Sequence, residues 1–206
     1  MWLDNIVFEK RVIEDERLDL SDKDGNYYLG PELLLRRCTL VLKVPAKRLH
    51  LVGTRLIDCS VEVKKELKGL AWNKTQLKGC RVTGRLIGCD FGYWPVPEVP
   101  YTEMGGIEDC DFSDAQLDAC RFIGCDARTL RFPSWPYFTL LDPYRRSREL
   151  DDIQWPGRLN VVLHGFSELP EKTAAVTYSA TSLAERYGTT EDAIWAVLQR
   201  LDGTKH

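Results

Sequence analysis

Seven cysteines and three histidines are the residues of this chain that could bind metal, form disulfides or act as nucleophiles. Their spacing argues against most of that chemistry. Structural zinc is usually held by ligand sets built from close pairs such as C-x-x-C. No CxxC pair occurs, and only His50, His164 and His206 could complete a set. An odd number of cysteines in a chain without a secretion signal also argues against a disulfide framework. The start, MWLDNIVFEKRVIEDER, has no apolar run long enough for a leader, and its acids fall early. No stretch approaches the ~18 apolar residues of a membrane-spanning helix. The expected setting is therefore cytoplasmic, with no membrane contact, and the cysteines read as reduced core residues, small and readily buried.

Two further stretches resemble functional motifs. LNVVLHGFSEL (159–169) looks like the strand and His-Gly oxyanion loop of an α/β-hydrolase, which also needs a GxSxG elbow and a later histidine. No GxSxG occurs and only 37 residues follow Leu169, so the segment reads as a buried strand with an incidental turn. SLAERYGTTEDAIWAVLQRL (182–201) has the spacing of a helix-turn-helix, with Ala184 and Gly188 at the expected places. A recognition helix needs polar or basic groups early, and here Glu191, Asp192, Ala193 and Trp195 occupy that position. The segment reads as a packed helical hairpin with Thr190 as N-cap and Gly203 as stop. With no catalytic constellation, phosphate-cradling loop or metal set, the expectation is a non-enzyme without a cofactor.

The net charge of −3 conceals a segregation. From Leu35 to Gly88 there are thirteen Lys/Arg against three acids, Asp58, Glu62 and Glu66; from Cys89 to Asp118 there are eight acids and no Lys or Arg. Residues 1–34 carry nine acids against four bases. In a stacked fold such blocks become layers. They could neutralise one another between layers, each exposed pair contributing little, or form a docking surface. Asp90, Glu98, Glu103, Glu108 and Asp109 beside Tyr93, Trp94 and Tyr101 combine charge for steering with aromatics for anchoring.

The elements that must carry these residues follow from a repeat. From Gly105 the chain reads GGIED, CDFSD, AQLDA, CRFIG, CDART, LRFPS, with Ile107, Phe112, Leu117, Phe122, Ala127 and Phe132 at third positions. Cys110, Ala115, Cys120 and Cys125 begin four consecutive fives. TQLKG and CRVTG, then after one slip GRLIG and CDFGY, repeat the pattern at 75–93, as do TRLID and CSVEV at 54–63. This resembles the pentapeptide-repeat family. The resemblance implies a short right-handed quadrilateral β-helix, mainly β, in which four fives make a coil. Ile107, Phe112, Leu117, Phe122 and Phe132 would then line the axis, with Cys110, Cys120 and Cys125 packed beside them. Cys38, Cys59 and Cys80 lie 21 apart, as do Cys89 and Cys110, which predicts cysteine ladders.

The remaining organisation is read around that core. Residues 1–34, which do not repeat and contain a DG turn, are expected to form an N-terminal strand cap. The solenoid spans 35–134, with the proline-rich 92–106 bulging out as an inserted loop. Residues 135–206 cover the far end and add small C-terminal helices. The functional expectation is a protein–protein interaction protein, foremost an immunity-type inhibitor binding a toxin or enzyme with a basic groove. The alternatives are a nucleic-acid-binding regulator using the basic coils and the C-terminal helices, which the charge of that hairpin opposes, and an adaptor without inhibitory role.

Overall fold

Apolar residues five apart recur once per coil: Ile13 and Leu18, Leu35 and Leu40, Leu56 and Val61, Leu77 and Val82, Ile107 and Phe112. A chain with this rhythm can stack short strands in register around one apolar axis. The computed structural model describes residues 5–94 and 105–206. It is a mainly β fold built on a solenoid of about four turns.

Strands come in triplets. The first is β1 (Asn5–Phe8), β2 (Arg11–Glu14) and β3 (Arg17–Leu20); the second is β4 (Asn26–Leu29), β5 (Leu33–Arg36) and β6 (Thr39–Leu42). The third is β7 (Leu49–Leu51), β8 (Thr54–Ile57) and β9 (Ser60–Lys68). Then come β10 (Thr75–Lys78), β11 (Arg81–Ile87) and β12 (Asp90–Gly92), and finally β13 (Gly106–Glu108), β14 (Ala115–Asp118) and β15 (Cys120–Ile123). They stack in parallel as β1-β4-β7, β2-β5-β8-β10-β13 and β3-β6-β9-β11-β14. On the second wall Ile13, Leu35, Leu56, Leu77 and Ile107 are in register from strand to strand, one inward residue per layer.

Residues 1–34, expected as a strand cap, supply strands of the stack itself. β1, β2 and β3 already pair in parallel with β4, β5 and β6 and form the first layer. The DG turn joins β3 to β4, which lie in different walls, so it makes a corner rather than a hairpin. Each layer contributes three strands, on three walls in the first three layers, whereas β12 and β15 of the last two layers stand in a fourth sheet. The slip in the pentapeptide pattern is a β-bulge: Gly84 pairs with Val63 but Leu86 pairs with Leu67, so β9 carries extra residues there. Gly84 has φ +97°, and a Cβ on it would lie 2.0 Å from the Val63 carbonyl oxygen. Only glycine fits at that position.

The far end is closed by the C-terminal region: β16 (Tyr137–Leu141), α1 (Ser147–Asp151), β17 (Thr173–Ser179), α2 (Ala180–Tyr187), α3 (Glu191–Leu198) and β18 (Thr204–Lys205). A fourth sheet, β12-β15-β17-β16-β18, carries the solenoid into this region, β17 pairing antiparallel with β15. Its two faces have different neighbours. Ala175 packs into the solenoid axis, while Val176, Tyr178, Phe138 and Leu140 join Leu183, Ile194 and Leu198 in a second core. The Thr190 side chain accepts the Ala193 N–H, as expected of an N-cap, but α3 ends at Leu198, so Gly203 is not its stop; it sits in the turn leading to β18. The expected strand at 159–169 is absent. That stretch forms two 3-10 turns, Leu159–Val161 and Phe166–Glu168, with Leu159, Leu163 and Phe166 buried.

Candidate interaction surface

The cysteines are ladder residues of the core. All seven are free; six are buried and Cys125 is half-buried. Cys59 lies beneath the Cys38 N–H at 3.4 Å, and the column continues through Cys80 to Cys110. Cys89 belongs to a separate column with Cys120, so its spacing of 21 from Cys110 does not mark one ladder. The thiol contact with Cys110, together with burial, pushes Cys80 up to about 12, and burial pushes Cys125 up to about 12 and Cys120 well up. Cys110 and Cys89 are drawn the other way by the thiols of Cys80 and Cys120. Both are at most 1% exposed, out of reach of a substrate.

Third-position residues Phe112, Leu117 and Phe122 expose nothing, and Ile107 and Phe132 are buried. Trp72 stacks on Phe91 at 5.7 Å, Phe91 on Phe122 at 5.2 Å, and Phe112 and Phe132 meet Phe122 edge-on. This aromatic column stiffens the part of the solenoid from which the insert leaves.

Each charged block meets its opposite one layer away. In the N-terminal layers Arg37 donates to Asp15 at 2.7 and 2.6 Å, Arg36 to Glu14 at 2.8 Å and Lys43 to Asp19 at 2.9 Å. In the acidic block Arg121 holds Asp90 with two bonds of 2.7 Å, Lys78 holds Glu108 at 3.0 Å, Arg81 pairs with Asp114, and Arg131 faces Asp111. Asp118 is only 5% exposed; it accepts the Ser179 N–H at 3.2 Å and Arg186 at 2.6 Å, tying β14 to the N-cap and the last turn of α2. Among the described residues of the block, Asp109 alone makes no ion pair.

The expected docking residues are therefore only partly brought together. Asp90, Arg121 and Trp94 form one cluster, the guanidinium lying 5.5 Å from the Trp94 ring centre. Lys172 lies 5.7 Å over the Tyr93 ring. Tyr93 and Glu108 line one open groove of about 780 Å³ with Lys78, Asp126 and Thr129. Asp109 sits at a left-handed corner, φ 53°, its N–H donating to Thr129 Oγ1 at 3.3 Å. Glu98, Tyr101 and Glu103 lie outside the described residues. The positioning role of Arg121 and Lys172 was missed in sequence because both lie in a later, charge-balanced segment, and the insert stretches the offset from Asp90 to Arg121 to 31 residues, beyond the usual coil.

Elsewhere the chemistry is sparse. His164 Nδ1 lies 3.3 Å from Asp151, which also accepts the Gly165 N–H at 3.1 Å, but among the described residues no hydroxyl or thiol is hydrogen-bonded to this exposed ring. No three described His, Cys, Asp or Glu residues converge as a metal site. No helix among the described residues is long and apolar enough to cross a membrane. In the helical hairpin Arg186 is engaged by Asp118, and Glu191 accepts from Thr181 Oγ1 at 2.6 Å. Fold and surface together define a β-solenoid protein with Tyr93 and Trp94 held by Lys172 and Arg121. No family model, curated protein or solved structure matches the chain.

Proposed function

We propose that this chain is a non-enzymatic protein-binding module, an immunity-type inhibitor that masks a functional site on a protein partner. The observation that carries the reading is Trp94: half-exposed, at the root of the insert, and braced by an arginine that is itself held by Asp90. A large aromatic fixed in advance loses little freedom on docking, which favours its use as an anchor. Steering would come from Asp109 rather than Glu108, whose charge Lys78 already neutralises. The right-handed pentapeptide-repeat character of the coil belongs to the same proposal. Five-residue spacing of inward residues supports it, in a diverged form with three strands per layer.

The test is an interaction screen in the native host with the wild-type chain and Trp94→Ala as baits, followed by assay of the captured partner's own activity. The expected result is a partner held by the wild type, inhibited by it, and bound about 30-fold more weakly by the variant, which corresponds to about 2 kcal/mol. Equal binding and inhibition by a folded Trp94→Ala would refute the assignment of the anchor. Capture without inhibition would favour the adaptor.

A further inference from the structure

We infer a second binding surface: the open edge of β7, which recognises an extended acidic segment of a partner protein by strand addition. Two walls of the solenoid run through five strands, but the first stops at the third, β1-β4-β7. β7 pairs with β4 along one edge, Tyr27 with Leu49 and Leu29 with Leu51. Among the described residues no strand pairs with its other edge. The chain that should continue this wall is diverted: Trp72 N–H donates to the Asp90 carbonyl, Asp90 N–H to the Leu70 carbonyl, and Ala71 bridges to Asp90. The diversion leaves a groove of about 530 Å³ between β7 and residues 68–74.

The groove's charge is one-sided. Lys47, Lys68 and Lys74 line it together with His50, and no carboxylate does. Lys68 pairs with Glu66 at 3.0 Å, out on the surface, whereas Lys47 and Lys74 have no ion partner among the described residues. Six of the thirteen cations of the basic block pair between layers, and among the described residues Arg48, Arg55 and Lys65 also lack an ion pair; Lys47 and Lys74 are the two without one that line this groove beside free backbone. His50 faces outward and is stacked on Tyr28 with ring centres 4.3 Å apart, which fixes the rim.

The two features select one occupant. A free strand edge offers backbone donors and acceptors that only another backbone in extended form can match in register. Lysines along an edge deter pairing with a second basic edge, so another copy of β7 is a poor fit. A strand with carboxylates at alternate positions satisfies both the edge and the lysines. Single-stranded nucleic acid would match the charge but not the backbone edge, and the lining offers its bases one ring, His50, with one face already stacked on Tyr28. The lining shares no residue with the Tyr93–Trp94 arm, so the two surfaces fail or succeed separately.

The experiment uses fluorescence anisotropy with the full chain and three labelled probes: an alternating Glu/Val heptapeptide, the same peptide with proline at its centre, and a thymidine 20-mer. The acidic peptide is expected to bind. Lys47→Glu with Lys74→Glu, both away from the core, should weaken it at least tenfold, and the central proline should do the same. Nitrogen-labelled protein should shift its amide resonances at 49–51 on binding. No binding, or equal binding by the double variant, overturns the site. Equal binding of the proline peptide, or tighter binding of the oligonucleotide, overturns strand addition in favour of a general polyanion surface.

Discussion

Phe122→Ala removes the ring at the centre of the aromatic column. Phe122 exposes nothing to solvent and contacts three rings, Phe91 at 5.2 Å, Phe112 at 5.2 Å and Phe132 at 5.1 Å. Truncating a buried phenylalanine costs about 3–5 kcal/mol from lost transfer and the cavity left behind. Aromatic pairs add about 0.5–1.5 kcal/mol beyond burial, and three are lost together, so the expectation lies near the top of that range, about 5 kcal/mol. Neighbouring backbone is held in ladders on both sides, β12 and β17, and cannot collapse into the space. Phe132, 9% exposed at the edge of the column, is the internal control, with a cost near the lower end. Urea unfolding followed by far-ultraviolet circular dichroism gives both values. A cost below about 2 kcal/mol for Phe122→Ala, or one no larger than that of Phe132→Ala, would refute the axial column as the main support of this end.

Native protein at pH 8 should react with iodoacetamide slowly if at all, because six thiols are buried and burial holds the half-buried Cys125 up at about 12; unfolded protein should titrate seven. A fast-reacting thiol in the native state would contradict the ladder. In acid, Asp126 is held down at about 2 by Arg128, and Asp15 and Asp19 are lowered by Arg37 and Lys43. Because these folded-state values lie below the unfolded value of about 4, the stabilisation is present above pH ~4 and is lost as pH falls towards ~2. The urea midpoint should drop across that window, less steeply at 1 M salt; a midpoint that rises on acidification would exclude these carboxylate pairs, the local Asp126–Arg128 and the cross-layer Asp15–Arg37 and Asp19–Lys43, as stabilising.

The solenoid was legible where the repeat is dense. Cys110, Ala115 and Cys120 mark first positions, and Phe112, Leu117 and Phe122 fill the axis. It was illegible at the N-terminus because the first layer has neither cysteine nor alanine at those positions. Its signal was the pair Ile13 and Leu18, five apart, echoed at Leu35 and Leu40. The cysteine columns were read wrongly at Cys89 and Cys110 because the insert lengthens one coil, so that Gln76 pairs with Gly106 and Arg85 with Gln116. Equal spacing in sequence then no longer means equal depth in the stack. The sheet that joins solenoid to helices was not visible at all, since Tyr137–Leu141 and Thr173–Ser179 pair over a long sequence separation and carry no repeat.

The charge blocks carry a more general point about solenoids. With about 22 residues per layer, Arg37 lies over Asp15 and Arg36 over Glu14, so a basic run one coil after an acidic run is placed directly against it. The same holds beyond the basic block, where the long coil sets Glu108 on Lys78 and Asp114 on Arg81. Such pairs are exposed and individually weak, yet they set the register, because a slip by one layer would oppose like charges. Segregation along the chain thus becomes pairing across the layers for six of the thirteen cations of the basic block. A charge acts on a partner most readily where it has no such pair. Among the described residues such charges include Asp109 at its corner beside the insert, Lys47 and Lys74 around β7, where the first wall stops, and Arg48, Arg55 and Lys65 elsewhere in the basic block. Asp109 and the lysines around β7 lie where the repeat is interrupted, which is where a solenoid can carry a function without disturbing its own register.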